Sequence, residues 1–171
     1  MLRTFIEEKL ENACLLYIVD PEAITECAKA GVGATVSLQV GAKSTPLQGD
    51  PVAMTAEVVA LADGRFCYEG PRNQGLDGNM GPSAHIRQDG VHVLLVSHRE
   101  QPFDTALART LNLNPRKMRY IGLKSAGHFR SAYEPWAGNI YVVSEPNVHD
   151  PELIKDQYTN LGRKLYPFDN I

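Results

Sequence analysis

The sequence contains few cysteines, and none is spaced for metal binding. The three cysteines are Cys14, Cys27 and Cys67, and they form no Cys-x-x-Cys motif or Cys/His ligand pattern. We therefore predict free thiols in a reducing compartment, with Cys14 and Cys27 in the core and Cys67 in a strand. Nothing near these cysteines in the sequence would activate a thiolate nucleophile.

Long apolar runs and a strong net charge are also lacking. No apolar run approaches the roughly 20 residues that span a bilayer, and the N-terminus lacks the cationic start and apolar core of a signal peptide. The net charge of −3 gives no general attraction to nucleic acid or to anionic membranes. We therefore expect a cytoplasmic protein with no nucleic-acid or membrane partner. Its 171 residues predict one domain.

Histidines are present but scattered, and no HxH or HxxxH pair occurs. A zinc site held within the chain is therefore not predicted. His85 and His92 could approach each other across a turn at Gln88-Asp89-Gly90. Without third and fourth ligands, we interpret them as surface residues of two strands. Lys124-Ser125 lacks the glycine pattern of a phosphate-binding loop and the Gly-x-Ser-x-Gly context of a serine hydrolase.

The first forty residues predict a β-α-β unit. Residues 2–11 have apolar side chains at helical spacing, and residues 14–19 form an apolar run typical of a buried strand. Asp20-Pro21-Glu22 is a helix start, and this helix should end near Ala30. Residues 34–40 then alternate as a strand on the far side of the crossover.

The middle of the chain predicts antiparallel structure. Residues 52–61 form a strand, and the Asp63-Gly64 pair predicts a hairpin whose return strand contains residues 66–68. Residues 70–82 contain four glycines and two prolines, a composition typical of a functional or disordered loop. A second hairpin should turn at residues 88–90.

The last third returns to alternating strands and helices. Asp104 is the expected N-cap of a helix over residues 105–111. A buried strand at residues 120–124 should lead into another helix, and residues 140–143 should form a strand. Asp150-Pro151-Glu152 is a further helix start signal. The fold class is therefore α/β: a single domain with a mixed β-sheet and an antiparallel hairpin insert between two α/β portions.

A polar cluster lies where the strand at residues 120–124 meets the next helix. It contains Lys124, Ser125, His128 and Arg130. The free N–H groups of a helix start, together with two cations, favour binding of a carboxylate or phosphate. The alternative is structural: Ser125 caps the helix, and the cations are solvated or paired with acids.

A second polar cluster follows the strand that precedes Ser97. It includes Arg99, Gln101 and Asp104. Ligands of open α/β sheets collect outside the carboxyl ends of the strands. If the two strands are parallel neighbours, Arg99 and Lys124 could face one crevice. The alternative is a local ion pair between Arg99 and Asp104, with Gln101 capping a turn.

Several short motifs occur in an order that covers nearly the whole chain. The most specific is Lys124-Ser-Ala-Gly-His-Phe-Arg130. The others are Asp20-Pro-Glu-Ala, Ala30-Gly-Val-Gly-Ala-Thr-Val, Gly41-Ala-Lys-Ser, Asp63-Gly-Arg-Phe, Gly70-Pro, Met80-Gly-Pro and Ser97-His-Arg-Glu-Gln-Pro-Phe-Asp. In this order they resemble the C-terminal domain of the MlrC-type family, the microcystin-degradation proteins classed as metallopeptidases.

The resemblance implies that residues 1–171 are an MlrC C-terminal-like domain. Family members should be about twice this length, with metal ligands (an Asp-x-His pair, a further histidine and an acid) in the N-terminal half. No position here matches those ligands, so zinc is expected in the absent N-terminal domain and no cofactor in this chain. The chain would then be a separate domain, a truncated gene product or one half of a split enzyme, inactive as a peptidase alone.

Two functions follow from the resemblance. The first is the accessory domain of a zinc-dependent peptidase or amidohydrolase, contributing cleft residues that bind a small peptide-like or carboxylate substrate. Its expected substrate-binding residues are Lys124, Ser125, His128, Arg130, Arg99 and Gln101. Its partners would be the N-terminal metal-binding domain or a split subunit, or a second copy in a homodimer that covers an exposed apolar patch. The second function is a stand-alone anion-binding or interaction module without catalysis, and the same cluster could instead be purely structural.

Overall fold

The computed structural model describes residues 1–44, 49–125, 127–143, 162–164 and 166. The α-helices in this part of the chain are α1 (Leu2–Glu7), α2 (Pro21–Ala30), α3 (Ala106–Thr110) and α4 (Arg130–Tyr133). The strands are β1 (Ala13–Val19), β2 (Thr35–Val40), β3 (Val52–Ala62), β4 (Arg65–Cys67), β5 (Asp77–Asn79), β6 (Ser83–Gln88), β7 (Val91–Val96) and β8 (Tyr120–Leu123). A 3-10 turn covers Pro115–Lys117. Among these described elements, no helix is long and apolar enough to cross a bilayer.

Six strands form one mixed sheet in the order β2-β3-β6-β7-β1-β8. The strand β1 is parallel to both β7 and β8, whereas the β2–β3, β3–β6 and β6–β7 pairs are antiparallel. The strands β4 and β5 pair only with each other, in a separate small sheet. The predicted α/β class, mixed sheet and antiparallel insert are confirmed.

The sheet is covered on both faces, which explains the continuous apolar runs of β1 and β7. On one face, Leu15 and Val93 belong to a core that includes Ile24 of α2. On the other face, Leu16 and Leu94 pack in a second core with Leu111, at the end of α3. The chain therefore passes from β1 to one face of the sheet and from β7 to the other.

The helix α2 begins and ends as predicted, because its signals are local. The Asp20 side chain accepts a hydrogen bond from the Ala23 N–H at 3.1 Å, and Pro21 occupies the first turn. Gly31 follows the last helical residue, with φ of +84°. The hairpin of β6 and β7 also has its predicted turn, in which Asp89 adopts a positive φ. The helix α1 ends at Glu7, earlier than predicted, and Lys9 beyond it has a left-handed φ of 47°.

The predicted β-α-β unit is wrong. The strand β2 lies at the opposite edge of the sheet from β8 and pairs antiparallel with β3, so that β3, β6 and β7 separate it from β1. Its burial alternates, with Leu38 and Val40 buried and Ser37 and Gln39 exposed. This pattern fits an antiparallel edge strand with one solvated face, whereas a parallel crossover strand would be covered on both.

The predicted hairpin at Asp63-Gly64 is also wrong. The end of β3, from Ala60 to Ala62, pairs with β6, and β4 does not pair with β3. Instead β4 pairs with β5, which lies inside the glycine-rich segment. The Gly64 carbonyl accepts a hydrogen bond from the Met80 N–H at 3.0 Å. The turn thus connects two sheets.

The segment after β8 differs from the prediction as well. The helix α4 is a single turn, and residues 140–143 form no strand. Tyr141 and Val142 are 82% and 83% exposed and pair with none of the described strands, and β-propensity alone does not form a strand. The start signal at residues 150–152 lies outside the described residues.

Candidate functional site

The carboxyl ends of β7, β1 and β8 lie at one edge of the sheet, because the three strands are parallel. The connection after β1 packs on one face of the sheet, and the connection after β7 packs on the other. The gap between these two strands is therefore a switch point, and open α/β sheets bind ligands at such points. Arg99 follows β7 and Lys124 follows β8. The two strands are parallel as the prediction required, but β1 lies between them.

Asp20, directly after β1, organises the centre of this edge. Its side chain is buried, and it accepts hydrogen bonds from the Gly41 N–H at 2.9 Å and from Lys43 Nζ at 2.8 Å. Burial lowers the pKa of Lys43, but hydrogen bonds and attraction from Asp20 and Glu22 outweigh this effect, so the pKa is raised. Lys43 therefore stays cationic at neutral pH. Sequence reasoning identified Asp20 only as a helix cap, although the Gly41-Ala-Lys-Ser motif was a signal for the second role.

Arg99 reaches back across this edge to the loop after β2. Its guanidinium donates to Ser44 Oγ at 3.0 Å. The alternative ion pair with Asp104 is wrong, because the Asp104 carboxylate instead accepts the backbone N–H groups of Glu69, Gly70 and Ala106. Arg99 therefore lies beside the switch point with its charge unpaired by any carboxylate among the described residues.

Gln101 and His128 are brought together although 27 residues separate them. The Gln101 amide oxygen lies 2.9 Å from His128 Nδ1, and both side chains are exposed. Because an amide oxygen only accepts, the hydrogen of this bond lies on Nδ1. This contact joins the segment after β7 to the segment after β8. The alternative role of Gln101 as a turn cap is not observed for its side chain.

Lys124, Ser125 and Arg130 occupy three different environments. Lys124 is exposed at the end of β8, whereas the Ser125 hydroxyl oxygen is buried and has no hydrogen-bond partner among the described residues. Arg130 pairs with Glu134 at 2.9 Å. Since α4 begins only at Arg130 and is preceded by Phe129 as N-cap, Ser125 does not cap a helix. The predicted anion site at a helix start is therefore wrong in its mechanism, because a single turn has little dipole.

The glycine-rich segment lies against the same edge. The Met80 carbonyl accepts hydrogen bonds from the N–H groups of Ser97 and His98, at 3.1 and 2.9 Å. The backbone carbonyl of Asp104 also accepts bonds from the Tyr17 and Tyr133 hydroxyls, at 3.4 and 3.3 Å. Asp104 therefore links the hairpin of β4 and β5 to β1, α3 and α4. Sequence reasoning missed this role, since these partners are distant along the chain.

The two strand histidines form a pair in which His85 is buried and His92 half-buried, so the interpretation as surface residues is wrong for His85. His85 is 1% exposed, and its Nδ1 lies 2.8 Å from the Leu111 carbonyl oxygen. Its Nε2 lies 2.8 Å from Nδ1 of His92, which approaches across the hairpin as predicted. Burial lowers the pKa of His85 to about 4 and also lowers that of His92.

This pair does not complete a metal site. Within the described part of the chain, no three His, Cys, Asp or Glu side chains converge as metal ligands. The buried thiols are Cys14 and Cys27, whose pKa burial raises to about 12 and about 11, which disfavours the thiolate that binds metal. The described residues thus do not fit a zinc ion, and we assign no step through a metal to them.

The chain is similar to known proteins in both sequence and structure. The chain is 26% identical over 175 residues to Microcystinase C of Sphingomonas sp., an alignment that covers 100% of this chain and 32% of that protein. It also resembles the crystal structure titled "Putative metallopeptidase" from Mesorhizobium sp. BNC1. That likeness has a TM-score of 0.79 at 23% identity and covers 99% of this chain and 34% of the other.

The chain thus spans about a third of the length of these relatives, so they are about three times as long rather than twice as expected. The family described as MlrC C-terminus matches residues 1–160. This match covers the switch point, the glycine-rich hairpin and the segment from Lys124 to Arg130. The chain belongs to the MlrC C-terminus family.

Proposed function

We propose that this domain is the accessory wall of the substrate site in an MlrC-like metal-dependent peptidase or amidohydrolase. It binds an anionic group of the substrate, such as a carboxylate, at the carboxyl edge of β7, β1 and β8. A separate domain or subunit holds the zinc ion and performs the hydrolysis. The observation that carries the proposal is the contact between Gln101 and His128, which joins two of the segments beside the switch point.

The charges around this contact support an anionic ligand. Arg99 precedes Gln101 by two residues and donates to Ser44 Oγ, and Lys124 precedes His128 by four residues at the end of β8. The Ser125 hydroxyl can donate a hydrogen bond, and its buried oxygen has no partner within the described ranges. Arg130 is a weaker contributor, because Glu134 already neutralises its charge. Buried polar groups without partners are uncommon, and a ligand could satisfy this one.

The relatives support the reaction class. A "Putative metallopeptidase" is among the structural neighbours, and this chain aligns with about a third of it. Metal ligands would then lie in the part of the longer proteins that this chain does not match. The domain itself contributes substrate binding and orientation. Substitution of its binding residues should therefore be detected first as a lower affinity for the substrate.

Anion binding is tested by thermal unfolding with phosphate, sulfate and succinate. A ligand at 100-fold excess over its dissociation constant stabilises the folded state by about 2.7 kcal/mol. We expect stabilisation by at least one of these anions and its loss in Lys124→Ala. The matched control is Lys29→Ala, which removes an exposed lysine of α2 on another part of the surface. An absence of stabilisation by every anion, or an equal response of both variants, would contradict the proposal.

The accessory role is tested in a chimera with Microcystinase C of Sphingomonas sp. The third of Microcystinase C that aligns with this chain is replaced by this chain. Hydrolysis of a peptide substrate is then measured with and without a chelator. We expect no hydrolysis by the chain alone and metal-dependent hydrolysis by the chimera. Hydrolysis by the isolated chain after metal removal would refute the assignment.

A second function, an interaction module without catalysis, is favoured by one observation. Tyr141, Val142 and Val143 are consecutive apolar residues that are 82%, 83% and 61% exposed. Contiguous exposed apolar side chains commonly mark a protein contact. Anion binding by a chain whose chimera is inactive would support this module over the accessory domain.

A further inference from the structure

We infer that the glycine-rich hairpin of β4 and β5 is a specificity-determining wall of the candidate site, and that Arg72 at its tip binds a second anionic group of the ligand. The inference rests on the proposed function. The hairpin tip is residues 70–76, within the loop of residues 68–76 that connects the two strands. The ligand class that follows is a molecule with two carboxylates.

The base of the hairpin is fixed to the end of β7. The Met80 carbonyl, directly after β5, accepts the N–H groups of both Ser97 and His98. The next residue, Gly81, lies against the His98 ring, which a Cβ at this position would approach to 2.9 Å. The base of the hairpin is therefore held against the segment after β7, which also contains Arg99.

The arm of the hairpin is held by a buried carboxylate. Asp104 Oδ2 accepts the N–H groups of Glu69 and Gly70 at 3.1 and 2.6 Å. A Cβ at Gly70 would lie 2.9 Å from this oxygen, so only glycine allows so close an approach. Asp104 is 5% exposed, and hydrogen bonds to a charged acceptor are strong. These bonds therefore fix the position of the backbone at residues 69 and 70, where the tip begins.

Beyond these anchors the tip is solvent-accessible. Residues 71–77 are all exposed, so the tip does not serve to fill the core. The Arg72 guanidinium lies over the Phe103 ring, 5.7 Å from its centroid, and the same ring stacks on Tyr68 at 5.3 Å. Phe103 comes shortly after Gln101, whose side chain contacts His128. Arg72 therefore lies over the ring of Phe103, whose backbone N–H donates to the Gln101 carbonyl at 2.9 Å.

The chemistry of Arg72 suits carboxylate recognition. A guanidinium offers a planar set of donors that binds a carboxylate through two parallel hydrogen bonds. Its position over Phe103 orients it without neutralising its charge. Arg99 and Lys124 supply cations from the other two segments, after β7 and β8. Cations on separate segments favour a ligand whose two anionic groups are separate as well.

The test compares dicarboxylates with a monocarboxylate by thermal shift and titration calorimetry. Succinate and glutarate are the dicarboxylate probes, and acetate is the monocarboxylate. In Arg72→Ala we expect at least tenfold weaker binding of the dicarboxylates and unchanged acetate binding. The matched control is Arg65→Ala, which removes an equally charged exposed residue from the base of the same hairpin. The unliganded melting temperatures show that both variants fold.

The outcomes separate this inference from the proposed function. If the wild-type chain binds dicarboxylates and Arg72→Ala behaves like Arg65→Ala, the role of the hairpin is refuted and the proposed function stands. Equal losses of acetate and dicarboxylate binding in Arg72→Ala would also refute the specificity role. If the wild-type chain binds none of the probes, the proposed function fails and this inference fails with it.

Discussion

Buried polar side chains are the residues whose roles the fold defines most closely. Asp20, Ser83, His85 and Asp104 are buried, and each has hydrogen-bond partners that offset its loss of hydration. The roles of Asp20 and Asp104 at helix starts were predictable from the sequence, because Ala23 and Ala106 are local partners, although the N-cap residue of α3 is Thr105 rather than Asp104. Gly41 lies 21 residues from Asp20, and Gly70 lies 34 residues from Asp104. Such long-range contacts leave no periodic pattern.

His85 should make the protein sensitive to acid. Its pKa falls from the ordinary 6.5 to about 4 in the folded state, so the unfolded chain binds a proton that the folded chain refuses. Its contribution to the free energy of unfolding is complete above pH 6.5 and is lost as the pH falls to about 4. The loss is on the order of 3 kcal/mol, and urea titrations between pH 7 and pH 4 measure it.

A variant isolates the histidine from the carboxylates, which also titrate in this range. His85→Gln should be less stable at pH 7, because it disturbs the bonds to Leu111 and His92. Its stability should then fall less between pH 7 and pH 4 than that of the wild type. The control is His98→Gln, at an exposed position. An unchanged pH dependence in His85→Gln would show that the pair is not responsible.

At the scale of elements, local sequence signals predicted where helices and strands lie along the chain, but they did not predict which strands pair. The helix α2 has its cap, proline and terminal glycine within twelve residues, from Asp20 to Gly31, and it forms as expected. The strands β2 and β4 were correctly placed along the chain but assigned to the wrong neighbours. Strand pairing depends on which edges other segments already occupy. In this protein, the end of β3 pairs with β6, and β4 pairs with β5.

The junction between the two sheets gives the element-scale prediction. Gly64 has φ of +81°, and a Cβ at this position would overlap the Gly81 carbonyl oxygen and lie 2.7 Å from the Gly81 nitrogen. Gly64→Ala should therefore destabilise the protein by about 3 kcal/mol, from backbone strain plus the clash with backbone atoms. Thermal and urea unfolding provide the measurement.

Gly75 offers a matched control for this substitution. It has the same φ of +81°, but a Cβ there would meet no atom within 4 Å. Gly75→Ala should cost only about 1 kcal/mol, from strain alone. Equal destabilisation by the two substitutions would mean that the contact between Gly64 and Gly81 does not constrain the hairpin.

At the scale of the whole molecule, Tyr141–Val143 is a segment of consecutive exposed apolar residues. A contiguous apolar patch outside the core favours association. We expect this chain to self-associate as its concentration rises and Val142→Asp to reduce the effect. The control Val32→Asp changes an isolated exposed valine, 63% accessible, and should have no influence. Sedimentation velocity over a range of concentrations measures both variants, and a strictly monomeric wild type would contradict the expectation.

The sequence by itself determined the α/β class, the buried strands β1 and β7, the helix α2 and the family motifs, because periodicity, capping and motif order depend on neighbouring residues. The predicted burial of β8 is wrong, since β8 is an edge strand with Tyr120 exposed. The sequence also indicated the polar clusters around Arg99 and Lys124. Only the tertiary structure decided that β1 lies between their strands, that Gln101 contacts His128, and that Asp104 anchors the glycine-rich hairpin. These contacts depend on the order of strands in the sheet and on backbone groups that are far apart in the chain. The pattern of side chains within one segment does not specify them.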